Sequence, residues 1–214
     1  MPQISDEMTE LKNLTGYKLS LQDRITEQAC QLFTTHGIKA VTMDDVARQL
    51  AISKRTLYEI FGTKEALLLA IIVDYRKKHG ELLREKLSGC SDVMDILLVV
   101  YRDKIEEFRH VNPLFYSELS HYPQVLQGLQ SDREEQRRQF LKFMERGISE
   151  GYFRQDINYT LVEQLFNELG RYLMKSELYR HHDIEDLFRN IIFVTLRGLC
   201  TTKGVQRLDQ FLTA

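Results

Sequence analysis

The sequence predicts an all-α protein, and three observations carry that prediction. Apolar residues recur at helical spacing along most of the chain. Runs that alternate apolar and polar residues between turn pairs are missing. Only 3 Pro and 11 Gly interrupt 214 residues. A hydrophobic share of 43% and a charged share of 28% are ordinary for a globular chain long enough to bury a sizeable core.

Residues 1–17 are polar, lack a strong period and read as a flexible arm. A first helix is expected from about Leu21 to His36, because Ile25, Ala29, Leu32 and Phe33 fall on one helical face. Gly37 suits the left-handed position that ends a helix. Thr42 can cap a short helix from Met43 to Leu50, whose positive end suits the carboxylates of Asp44 and Asp45. Ser53 caps another from Lys54 to Phe61. Gly62 stops it, and Thr63-Lys64-Glu65 opens a long helix to about Leu87. Further helices are expected at roughly 91–110, 113–121, 124–150, 158–179 and 183–201, with Pro113 placed at a first turn after Asn112. No Pro/Gly linker marks a boundary. The expected division is an arm at 1–17, a helix-turn-helix domain at 18–66 and a larger helical domain at 67–214, sharing the helix that starts at Lys64.

Several function classes drop out. The longest nearly uninterrupted apolar stretch, Ala66 to Val73, has 8 residues, far below the roughly 20 needed to cross a bilayer. The polar, acidic N-terminus is no signal peptide. Cys30, Cys90 and Cys200 lie far apart, which excludes a disulfide framework or a Cys-x-x-Cys site and fits reduced thiols in a cytoplasmic protein. The six histidines lack metal spacing, so no metal and no cofactor is expected. Phosphate-binding loops, dinucleotide fingerprints and nucleophile elbows are absent, and no catalytic group stands out.

The most informative stretch is Val41 to Leu68. Two short helices meet across Ala51-Ile52-Ser53. Ala47 and Ala51 are small enough for a tight corner, and Val46, Leu50, Ile52, Leu57 and Ile60 can form an apolar wedge beneath it. This is helix-turn-helix spacing, in which the second helix enters a DNA major groove. Lys54, Arg55 and Thr56 stand in the first turn of that helix, where side chains can reach base edges or phosphates. Tyr58 can reach a phosphate, and Lys64 opens a helix whose free N–H groups favour an anion. Short Ser-capped helix pairs also occur in proteins that bind no nucleic acid, so an adaptor without DNA binding and an all-helical enzyme stay open as alternatives.

Thr42…Asp45-Val46-Ala47…Ile52-Ser53-Lys54…Thr56-Leu57-Tyr58…Phe61…Thr63-Lys64-Glu65…Leu67 resembles the N-terminal signature of TetR-type transcriptional regulators. The resemblance covers about residues 21–70; beyond it only the layout of the chain is similar. It implies a ligand-responsive regulator, most often a repressor, that binds operator DNA as a homodimer and holds a small-molecule inducer in its C-terminal domain. By position it implies phosphate contacts from Thr42, Ser53, Tyr58 and Lys64, and base contacts from Lys54, Arg55 and Thr56. Glu59 departs from the pattern by placing an acid on the reading helix, where it could accept from cytosine N4 or exclude wrong sites. Ile60 departs too, where many members carry an aromatic or His.

In the larger domain, Tyr101, Phe108, Phe115, Tyr116, Phe140, Met144, Phe166 and Asn167 are candidates to line a pocket for a largely apolar ligand. For any one of them taken alone, packed core is the simpler reading. Leu161 and Leu165, with Leu187, Ile191, Val194 and Leu199, make the last two helices apolar on more than one side, which predicts a self-association surface.

The formal charge of −2 looks unpromising for a nucleic-acid partner. It is an average. Residues 18–64 carry 7 basic and 5 acidic residues, while residues 1–17 and residues 65–214 each carry a net −2. So small a surplus implies that one head alone binds DNA weakly and that useful affinity needs two.

Overall fold

The computed structural model describes residues 3–128, 133–178 and 181–213. Its helices are α1 (Gln3–His36), α2 (Met43–Gln49), α3 (Lys54–Phe61), α4 (Lys64–Leu87), α5 (Val93–His110) and α6 (Pro113–Leu119). They continue with α7 (Pro123–Gly128), α8 (Arg133–Ser149), α9 (Tyr159–Lys175), α10 (Ile184–Leu187), α11 (Val194–Leu199) and α12 (Thr202–Thr213). No β-strand occurs among the described residues; one isolated antiparallel bridge joins Phe153 to Cys200.

The fold has two apolar cores. In the first, Leu21, Ile25, Ala29 and Phe33 of α1 are buried against Val46 and Ala47 of α2, Leu57 and Phe61 of α3, and Leu67, Leu68, Ile71 and Ile72 of α4. Phe115 of α6 and Val125 of α7 complete it. The second joins Val93 and Met94 of α5 to Met144 of α8, Val162 of α9, Leu196 and Leu199 of α11, and Leu208 of α12. The first core therefore runs past residue 66 and recruits side chains from the larger domain.

Helix α6 holds the end of α1. The Asn112 N–H donates to the Thr34 carbonyl at 2.7 Å, and its side-chain amide donates to the Thr35 carbonyl at 2.9 Å. The Glu118 carboxylate accepts the Lys39 N–H at 2.7 Å.

The helices differ from those expected at four places. Helix α1 begins at Gln3, not near Leu21; Glu7, Met8, Glu10, Leu11 and Lys12 are good helix formers, and the only Gly before His36 is Gly16. A pattern search for an apolar face does not register such a stretch. The helix expected over 124–150 is α7 and α8, with 129–132 outside the described residues. The one expected over 158–179 ends at Lys175, and 179–180 also lie outside them. The last expected helix contains a π turn, Phe188–Phe193, between α10 and α11, and α12 comes after it.

Candidate nucleic-acid interface and ligand cavity

Helix α3 is built to be presented. The Ser53 Oγ accepts the Thr56 N–H at 3.0 Å, which caps its start. Gly62, at φ +66°, ends it. Leu57 and Phe61 are buried, while Lys54, Arg55, Tyr58 and Glu59 are exposed on the opposite side. Thr56 is half-buried.

Helix α2 sets the angle at which α3 leaves the core. Thr42 and Asp45 form a reciprocal cap. The Thr42 N–H and hydroxyl donate to Asp45 Oδ2 at 2.9 and 2.6 Å, and the Asp45 N–H donates to Thr42 Oγ1 at 3.2 Å. Those bonds hold the Asp45 carboxyl below its usual range. Val46, Ala47 and Leu57 are buried in the wedge, with Leu50, Ile52 and Ile60 partly buried against them.

Ala51 serves differently than expected. It is exposed, not wedged between helices, and sits in the left-handed region at φ +53°. Its small side chain limits strain in a conformation that costs an L-residue roughly 1–2 kcal/mol. Ala51→Gly is expected to hold or raise stability by up to about 1 kcal/mol. Ala51→Val is expected to lose about 1–2 kcal/mol, because a branched Cβ suits this region least. Paired urea melts check both; a Val variant as stable as the parent would contradict the strained turn.

The cations of the reading face have acidic partners within the chain. Lys54 Nζ lies 2.8 Å from Asp44, and Arg55 Nε lies 2.8 Å from Glu59. Asp44 holds the Lys54 ammonium above its ordinary pKa, and Glu59 does the same for the Arg55 guanidinium. Lys64 stands apart from that face. Its ammonium donates to the Ile38 carbonyl and lies 5.6 Å from the centre of the Phe33 ring, and burial pushes its pKa down.

Between α5, α8, α9 and the α10–α11 segment the larger domain forms an apolar cavity of about 620 Å³ that opens to solvent. Of the expected pocket residues, Tyr101, Phe140, Met144 and Phe166 line it. Phe108 and Tyr116 line an adjoining 220 Å³ cavity, which shares Phe166, Phe188 and Ile192 with the first. Phe115 lies instead in the first core and borders a 370 Å³ cavity between α1, α4, α5 and α6. Asn167 faces a polar cleft and donates to Glu163 at 2.5 Å. Lys104 and Phe188 also line the large cavity, although the sequence pattern does not single them out. A Lys on an amphipathic helix reads as solvated, and Phe188 falls in the π turn.

That π turn also corrects the expected self-association surface. Leu161, Leu165 and Val194 are exposed at 61%, 47% and 65%, and Tyr172 joins them at 56%. Leu187 and Leu199 are buried within the chain, and Ile191 is half-buried. A π turn holds more residues than an α turn, so the residues after it are rotated relative to those before it. Counting at 3.6 residues per turn across 188–193 therefore misassigns faces.

Burial pushes the Cys200 thiol up to about 11. No group of three His, Cys, Asp or Glu among the described residues could hold a metal ion. No helix among them is long and apolar enough to cross a membrane.

A capped, outward-facing helix set on a tight turn above a buried wedge defines the reading head of a helix-turn-helix DNA-binding protein. Residues 25–71 match the model of the bacterial regulatory proteins of the tetR family. The N-terminal part of the chain is thus similar to that family's DNA-binding region, and the chain is a DNA-binding transcriptional regulator rather than an enzyme. Regulators of this family bind operator DNA as dimers and bind small-molecule ligands.

Among curated relatives, the HTH-type transcriptional repressor KstR2 of Mycolicibacterium smegmatis is 24% identical over 155 residues, covering 70% of this chain and 75% of the relative. The HTH-type transcriptional regulator UidR of Escherichia coli K12 is 35% identical over 66 residues, covering 31% and 34%. A TetR-family regulator from Agrobacterium tumefaciens superposes with a TM-score of 0.66 at 19% identity, covering 86% of this chain and all of that one. The ketosteroid transcriptional regulator KstR2 of Mycobacterium tuberculosis superposes with a TM-score of 0.56 at 18% identity, covering 84% and 95%.

Proposed function

We propose that the chain works as a homodimeric repressor. Its two α3 helices occupy successive major grooves of a near-palindromic operator, and a largely apolar small molecule in the α5–α8–α9 cavity releases it. The observation that carries this reading is the polarity of α3, with Leu57 and Phe61 buried and Lys54, Arg55, Tyr58 and Glu59 exposed. In the proposed complex Lys54, Arg55 and Thr56 face base edges. Ser53 and Tyr58 face phosphate, and Thr42 and Lys64 stand at the adjacent helix starts. Glu59 discriminates against sites that leave its carboxylate unpaired.

The exposed strip of Leu161, Leu165 and Tyr172 on α9, with Val194 on α11, supports dimerisation through these helices. Leu161→Glu with Leu165→Glu is expected to convert the dimer to a monomer in sedimentation velocity. A dimer that persists would contradict the assigned interface.

The apolar lining supports the ligand reading, and two similar proteins are named for ketosteroids and for fatty acid degradation. Coupling runs through α6, which holds the end of α1, contributes Phe115 to the first core and lines the 220 Å³ cavity with Tyr116. Helix α4 belongs to both halves of the chain. A ligand preferring a different α4 and α6 placement shifts the spacing of the heads, with a coupling typically of about 1–3 kcal/mol. A crosslink that fixes head spacing is expected to abolish ligand release of DNA; unchanged release would refute this route.

A further inference from the structure

Among the described residues, the 620 Å³ cavity has one charged side chain in its wall, Lys104. Its ammonium lies 2.6 Å from Glu107 Oε2, one turn along α5. Glu107 is only 10% exposed and also accepts the Tyr116 hydroxyl at 2.9 Å. Lys104, Glu107 and Tyr116, together with Tyr75, line the 370 Å³ cavity toward α1 and α4 as well. The Lys104–Glu107 pair thus stands in a wall between the two cavities, and its charge is balanced before any ligand arrives.

That balance selects among ligands. A carboxylate placed on Lys104, whose side chain is 42% exposed, would set a second acid beside the nearly buried Glu107 carboxylate and leave the group net negative, which disfavours it relative to a neutral acceptor. An amine would meet the ammonium as a like charge. A neutral oxygen acceptor takes one of the ammonium's three donors and changes no charge. We propose that this cavity takes a neutral, largely apolar molecule whose acceptor oxygen, a ketone or ester, docks on Lys104, and that Glu107 positions the ammonium and excludes free acids. The proposal rests on reading the cavity as the ligand site. The neighbouring polar cleft shares Gln136, Phe140 and Phe166 with the cavity and carries Arg133, Arg137 and Arg171 against Glu134 and Glu163. A preference for acids would therefore point to that cleft.

Titration calorimetry of the full chain at neutral pH with 2-decanone and with decanoate tests this. The ketone is expected to bind about tenfold more tightly than the acid. Glu107→Gln leaves the ammonium unpaired, and it is expected to strengthen decanoate binding and erase or reverse the preference, which a merely structural role for Glu107 would not do. Lys104→Met is expected to weaken 2-decanone about tenfold, and it decides the matter if the Gln variant fails to fold by circular dichroism. Decanoate binding as tightly as 2-decanone to the parent protein would overturn the proposal while leaving the cavity reading standing. Binding of neither would overturn both.

Discussion

Lys54→Glu with Arg55→Glu is expected to weaken operator binding by at least about a thousandfold. Each side chain is assigned a base-edge contact in the groove, such contacts are worth roughly 1–3 kcal/mol, and a dimer presents each of them twice. The fold should survive. Both residues are exposed; the reversed Arg55 would face Glu59 one turn away and the reversed Lys54 would face Asp44, surface repulsions of at most about 1 kcal/mol each. Thermal melting and sedimentation should therefore match the parent protein while anisotropy with labelled operator shows the loss. Lys64 is best left out of this variant. Its ammonium serves the Ile38 carbonyl beside Phe33, and Glu there would place an acid against a carbonyl.

The second large effect lies in the knot that closes the larger domain. The α8–α9 connection packs against the α11–α12 corner. The Thr201 N–H donates to the Tyr152 carbonyl at 2.9 Å, the Arg154 N–H donates to the Leu199 carbonyl at 3.0 Å, and the Thr201 hydroxyl donates to the Gly151 carbonyl at 2.7 Å. Two glycines permit that approach. A Cβ on Gly147 would stand 2.1 Å from the Phe153 ring, and one on Gly204 would stand 2.4 Å from the Tyr152 carbonyl oxygen. Backbone cannot move aside as a flexible side chain can, and Phe153 is buried. Gly147→Ala and Gly204→Ala are each expected to cost about 3 kcal/mol, the upper range for overpacking. In a chain of this size that is a fall in melting temperature of roughly 6–12 °C. An unchanged melting curve for both would contradict the packing of the knot.

The reading head is legible in the sequence because each of its parts is local. Thr42 with Asp45, Ser53 with Thr56, and the Gly37 and Gly62 stops act within a few residues, and their spacing shows in the chain itself. Ala51 shows where that legibility ends. Its small size is visible, but the reason for it is a backbone dihedral angle. The larger domain is assembled from distant pieces. Gly147 and Gly151 have the spacing of a close helix contact, yet Gly147 serves Phe153 in the knot and Gly151 turns the chain at φ +78°. The π turn at Phe188–Phe193 breaks the period used to assign faces, so periodicity puts Leu187 and Leu199 on a surface from which the structure withdraws them. Lys104 escapes notice because nothing in its neighbourhood along the chain says that it borders a cavity.

The proposed repressor activity depends on two α3 helices of one dimer reading DNA together. Selection of bound fragments from genomic DNA, followed by footprinting on the enriched fragment, is the decisive measurement. The expected result is a two-fold symmetric footprint whose half-sites lie about one helical turn, or a whole multiple of it, apart. Enrichment should also be lost when Lys54 and Arg55 are both reversed to Glu. A single asymmetric site, or enrichment that survives the reversal, would contradict paired reading by α3.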